Sequence, residues 1–248
     1  MASRNLIIAL ITLLSLAAAA LGQISASEKA VVDAYRAAIT SAETRPADRA
    51  IETALAALEK VSEALTRARD NQLQTALESL SEEEFVRLKR DLPGALVNRE
   101  ETIFVEPDPD YFLKLAGAYG GPADRNFFAA FKATRPDSVW PVYVEQQTDY
   151  SGCTAFGSGK LVEAYRVWDE FRTMFPDRYV VSALEQLEDV SRELTDSTCA
   201  CGDSASVEAE MQRFIRVFPP STVRSQVADR LEELHAGRTK IRLNCKSG

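Results

Sequence analysis

Residues 159–176, GKLVEAYRVWDEFRTMFP, and residues 202–219, GDSASVEAEMQRFIRVFP, carry one pattern twice, 43 positions apart. Each stretch opens on glycine and closes on Phe-Pro; Ala164 aligns with Val207, Trp168 with Met211, Phe171 with Phe214 and Phe175 with Phe218. Steps of three and four put that bulk on one stripe of a helix, and the proline stops the helix. A third copy ends at Pro136, with Phe128 and Phe131 in the places of Trp168 and Phe171. Helical spacing resumes after the two clear prolines, predicting second helices over 180–194 and 223–235. The shorter runs 111–119 and 126–134, joined by Gly120-Gly121-Pro122, predict a further pair.

Gly159-x-Leu161-x-x-Ala164-x-x-x-Trp168, closing at Pro176, resembles the second-helix pattern of tetratricopeptide (TPR) repeats. The Phe171/Phe175-Pro176 ending is similar to the divergent repeats of bacterial periplasmic and outer-membrane assembly proteins. The likeness runs over residues 110–236. Phe171 is bulky where that family has a small residue, and the period is longer than the family's ~34. The resemblance implies an α-solenoid that binds peptides or partner proteins on a concave face and implies no catalysis.

Upstream, Ser25-x-x-Glu28 spells a capping box ahead of Val31, Val32, Tyr35 and Ile39. Arg45-Pro46 ends that helix. Ile51, Leu55, Leu58, Val61 and Leu65, then Leu73, Ala76, Leu77 and Leu80, predict one long helix or two collinear ones returning along the first. Ser81-x-x-Glu84 opens a short helix that stops at Pro93-Gly94. The expected fold class is all-α: an N-terminal helical hairpin over 23–94, a linker over 95–110 with a short strand at 102–105, and a TPR-like helix-pair array over 111–248, stapled by disulfides. The hairpin also offers a surface for a homodimer.

Residues 1–22 read as a signal peptide. Arg4 precedes the apolar run 6–21, and Ala20-Leu21-Gly22 sets small residues before a cut at Gln23. Sixteen residues of helix reach only ~24 Å, short of the ~30 Å hydrocarbon core. An uncleaved anchor is the alternative, and the only membrane attachment expected. The expected compartment is periplasmic or secreted.

Export makes disulfides the natural state of Cys153, Cys199, Cys201 and Cys245. In a stack of helix pairs the connections fall along one edge, and these cysteines lie about one repeat apart. The favoured pairing is Cys153–Cys199 with Cys201–Cys245; the crossed pairing, Cys153–Cys201 with Cys199–Cys245, stands beside it. A Cys199–Cys201 redox bridge and a metal site are the other readings; no metal is expected.

The chain of 248 residues has 29 basic and 37 acidic side chains, a formal charge of −8, which argues against a nucleic-acid partner. Its one histidine, His235, sits near a predicted helix end, where capping accounts for it. Gly157-Ser158-Gly159-Lys160 lacks the first glycine and the final Ser/Thr of a phosphate loop, and reads as a helix start with Ser158 as cap. The acids Glu82-Glu83-Glu84 belong to a helix N-terminus. No catalytic residue and no cofactor is assigned; the chain leans away from enzymes without excluding one. Residues 140–153, WPVYVEQQTDYSGC, break the helical rhythm with aromatic and amide side chains suited to recognition. Trp140, Tyr143, Gln147, Asp149 and Tyr150 are the candidate binding residues. The function expected is a non-catalytic module binding a protein or envelope component. The alternatives are a cell-wall-acting hydrolase, or a small-ligand or peptide receptor, using the 140–153 segment.

Overall fold

The computed structural model describes residues 24–45, 47–68, 74–137, 139–148 and 151–245. The expected signal segment, Asp149 and Tyr150 lie outside the described residues. Nine helices and two two-stranded sheets make up the described chain, so all-α becomes mainly helical. The chain divides into two compact units: Met1–Arg45 with Thr53–Glu106, and Pro46–Glu52 with Pro107–Gly248.

In the first unit, α1 (Ala26–Thr44) starts at the capping box its sequence spells, with Ser25 accepting from the Glu28 N–H and Glu28 accepting from Ser25. It pairs with α2 (Ala50–Thr66), whose first turn belongs to the second unit. A groove lined by Ser27, Val31, Glu63 and Arg67 sets the start of α1 beside the end of α2, an antiparallel arrangement. The long helix expected through Leu80 instead ends at Thr66. An Ala68↔Thr75 bridge turns the chain back, and the Leu77 N–H donates to the Leu65 carbonyl, filling an acceptor that the helix end leaves open. Burial of Ala76, Leu77 and Leu80 holds this return. Helix α3 (Glu82–Asp91) opens on the Ser81/Glu84 capping box. Residues 95–107 hold β1 (Ala95–Asn98) and β2 (Phe104–Pro107), which pair with each other. Arg99 fastens this corner: its guanidinium lies 4.3 Å from the Phe85 ring centroid, donates to the Leu80 carbonyl at 2.6 Å and pairs with Glu82. The only large apolar side chain exposed in this unit, among the described residues, is Val86.

The second unit is built from helix pairs. Helix α4 (Pro109–Tyr119) packs on α5 (Pro122–Thr134), α6 (Lys160–Met174) on α7 (Val180–Asp196), and α8 (Ser204–Val217) on α9 (Arg224–His235). Both α4 and α5 begin on proline, whose missing N–H costs nothing in the first turn. Helices α5, α6 and α8 end at Arg135, Phe175 and Phe218, each in a non-helical conformation and each donating its N–H to the carbonyl four residues back. A following proline excludes the helical conformation from the residue before it, which fixes these ends.

The stripes read from the sequence face inward. Phe131, Phe171 and Phe214 are buried, as are Phe128, Trp168 and Met211 one turn earlier. Phe171 lies 5.4 Å from Phe175 at 40°, and Phe214 lies 5.2 Å from Phe218 at 45°, so the two stretches repeat a ring contact as well as a spelling. Phe127 stacks on Tyr179 at 4.0 Å and meets Trp168 and Phe171 edge-on. After Pro136 the chain forms a hairpin, β3 (Val144–Thr148) antiparallel to β4 (Ser151–Thr154), in place of a second helix.

Candidate functional site

The residues singled out in 140–153 go to different places. Tyr143 is 2% exposed, and desolvation pushes its phenol well above the ordinary tyrosine pKa. Trp140 is half-buried, with its backbone N–H on Asp137 at 3.0 Å. Half-buried Gln147 donates its side-chain amide to the Cys245 carbonyl at 2.7 Å, tying β3 to the C-terminal segment.

The hairpin is the first part of a four-segment edge. On the far side of β4, Thr154 pairs in parallel with Ala200, and Cys199 pairs in parallel with Arg242. The connector between α7 and α8 is therefore held between β4 and the C-terminal segment. All four cysteines are bonded, but the pairing is the crossed one: Cys153–Cys201 with Cα atoms 5.1 Å apart and Cys199–Cys245 at 5.9 Å. That corrects the favoured pairing and removes a Cys199–Cys201 bridge. Sequence spacing brings the right connections together but leaves their register open, and the backbone ladder sets it. Among the described residues, Glu145, Cys153 and Cys201 gather donor atoms within 4.8 Å, but both sulfurs are already spent in a disulfide.

The glycine loop before α6 faces an internal acid. Glu210, on α8 and 1% exposed, accepts from the backbone N–H groups of Gly159 at 2.8 Å, Gly157 at 3.0 Å and Val162 at 3.2 Å. An internal carboxylate thus fills the space a bound anion would take at such a loop. Ser158 is not the cap; its hydroxyl donates to the Ala155 carbonyl and accepts from the Lys160 N–H. Gly159 has φ of 78°, a left-handed conformation that favours glycine.

Helix α7 begins in the same manner. Its N-cap Tyr179 is left-handed, at φ 49°, and supplies no side-chain cap. Glu52 accepts from the Tyr179 N–H at 2.7 Å and from Arg178 Nε at 2.8 Å. Buried Asp124 takes the Tyr179 hydroxyl at 2.7 Å and an Arg178 nitrogen at 3.1 Å, while Asp48 takes another at 3.2 Å. Burial pulls the Arg178 pKa down, but the Glu52 hydrogen bond and the charges of Asp124, Glu52 and Asp48 outweigh it and raise the net value. Tyr179, 2% exposed, is raised by burial first and by its bond to Asp124 second. Two phenols that ionise more readily unfolded than folded stabilise the chain below pH ~10 and lose that contribution above it, ~1.4 kcal/mol per pH unit for each. Alkaline titration of unfolding free energy is therefore expected to fall steeply past pH 10, and Tyr143→Phe with Tyr179→Phe should flatten it.

These clusters do structural work. The carboxyls that shift (Glu84, Glu163 and Asp203) all move down, each accepting hydrogen bonds at a helix start: from Ser81, Arg166 and Ser206 respectively. His235 lies 3.0 Å from Glu208 and ties α9 to α8. Among the described residues, open, charge-lined clefts include the α1–α2 groove, about 750 Å³, one lined by Lys29, Asp33 and Glu84, and one lined by Asp196, Asp229 and Lys240. The surface that stands out is apolar. Met174 at the end of α6 is 57% exposed and Val181 at the start of α7 is 65% exposed, with Val180 and Leu184 beside it in sequence. Val217, two residues before Pro219 as Met174 is before Pro176, is also exposed. No family model, curated protein or solved structure matches the chain.

Proposed function

We propose that the chain is an extracytoplasmic, non-catalytic binding module: a short TPR-like array of helix pairs that docks a protein or envelope component against the apolar end of the α6–α7 hairpin. The observation that carries the reading is the repeated aromatic stripe. Phe171 and Phe214 pack on the pre-proline phenylalanines in matching geometry, and the same pre-proline ends leave Met174 and Val217 in solvent. A solenoid buries one stripe per unit between neighbours and offers the rest of each unit to partners. Two disulfides along the connections suit an oxidising compartment, and no helix among the described residues is long and apolar enough to cross a membrane.

The test is capture of partners from envelope extracts by the oxidised chain and by a Met174→Ser/Val181→Asp variant. An acidic residue in the first turn of α7 suits the helix dipole, so the melting temperature should hold within ~2 °C. At least a tenfold loss of the captured species at unchanged melting temperature is expected. Undiminished capture would remove this surface from the proposal.

A further inference from the structure

The two disulfides have different electrostatic surroundings. Cys153–Cys201 is the inner bond: it joins β4 to the α7–α8 connector, and Cys153 is 2% exposed. Glu145 stands opposite Cys153 in the β3–β4 register and brings a carboxylate within 4.8 Å of both sulfurs. Cys199–Cys245 is the outer bond, half-buried at both ends, as Cys201 also is, and joins the same connector to the C-terminal segment. The residue opposite Cys199 in that bridge is Arg242, exposed and cationic. Disulfides open by attack of a thiolate, an anion, and release another. A carboxylate beside the inner sulfurs repels the attacker, whereas a cationic residue paired with Cys199 in the backbone register raises the local potential at the outer bond, which favours the anionic attacker and the departing thiolate.

From this charge sorting we propose that Cys199–Cys245 is a reducible lock on a C-terminal strap, residues 239–245, and that Cys153–Cys201 is a permanent staple. The co-reactant is a dithiol reductant. One of its thiolates attacks Cys245 Sγ, forming a mixed disulfide as Cys199 Sγ leaves as a thiolate and takes a proton from water. Its second thiol, deprotonated, then attacks its own sulfur in the mixed disulfide. The reductant departs as a disulfide, and Cys245 leaves as a thiolate and is protonated. Two electrons pass to the protein, and both cysteines end as thiols.

The lock secures a defined set of bonds. The Ala200 N–H donates to Arg242, the Arg242 N–H to Thr198, the Asn244 N–H to Gly202 and the Cys245 N–H to Ala200, all between 2.8 and 2.9 Å. Release of the strap uncovers those Thr198, Ala200 and Gly202 groups as an open strand edge, the kind of edge an extended segment pairs with.

The test titrates the oxidised, full-length chain with dithiothreitol under native conditions, blocks free thiols with iodoacetamide and maps them by mass spectrometry. Cys199 and Cys245 should be blocked at least tenfold faster than Cys153 and Cys201. Amide exchange at 242–245 should then quicken while Thr154 and Cys201 stay protected. Arg242→Gln should slow opening of the outer bond, and Glu145→Gln should hasten the inner one. Both substituted residues are exposed, so these rate changes should come without a change in melting temperature. Equal rates for the two bonds, earlier loss of Cys153–Cys201, unchanged exchange at 242–245, or a rate gap that ignores both substitutions would overturn the proposal.

Discussion

Glu210→Ala is expected to lower the unfolding free energy by about 4 kcal/mol, because three backbone donors lose one shared buried acceptor. Each donor left dry costs ~1–3 kcal/mol, and partial entry of water keeps the sum below the upper limit. The melting temperature should fall by ~10 °C. Glu210→Gln keeps one carbonyl oxygen but turns an amide NH₂ toward donors, so about half the loss is expected. Exposed Arg216 on the same helix serves as control, and Arg216→Ala should stay within ~0.5 kcal/mol. Urea unfolding with both disulfides intact measures all three. A loss under 1 kcal/mol for Glu210→Ala would mean that water replaces the carboxylate and that α6 does not depend on α8 for its start.

Arg178→Ala should cost ~3–4 kcal/mol, the penalty for stranding buried charge after its partner is removed. Arg178 serves Glu52, Asp124 and Asp48 from three different nitrogens. A lysine presents one point charge in place of that fork, so Arg178→Lys should recover less than half the loss. Adding Asp124→Asn to Arg178→Ala should regain ~1–2 kcal/mol by deleting the stranded charge, giving a non-additive cycle. Strict additivity would show that Arg178 acts through packing alone.

Both predictions concern the same arrangement. Helices α6 and α7 begin on left-handed residues, Gly159 and Tyr179, that supply no side-chain cap. Glu210 and Glu52, 51 and 127 residues away in sequence, take those backbone donors instead. A carboxylate at a helix start is favoured by the helix dipole as well as by the hydrogen bonds. Capping across such distances fastens one helix to another, which local capping by Ser25, Ser81 or Asp203 does not do.

That contrast divides what the sequence could tell from what it could not. Ser25-x-x-Glu28 and Ser81-x-x-Glu84 were legible because donor and acceptor lie within one turn, and the structure forms both boxes. The Phe171 and Phe214 stripes were legible because helical periodicity needs no partner to define it. Residues 74–80 depart from the expected helix because the spacing of Ala76, Leu77 and Leu80 fits a helix as well as a buried turn, and contact with Leu65 decides between them. In 140–153, Tyr143 and Gln147 drew attention by residue type alone. Type does not report burial, and the hairpin turns one into the core and the other onto Cys245.

By itself the sequence determined the helices that proline ends, the stripes they bury, and that the four cysteines, spaced about one helix pair apart, would meet along the connections. All of these follow from interactions within a few residues or from a regular period. Only the tertiary structure decided which sulfur meets which and where the two distant glutamates go. Those outcomes depend on strand register and helix packing, where a shift of one residue changes the partner and leaves every local pattern intact.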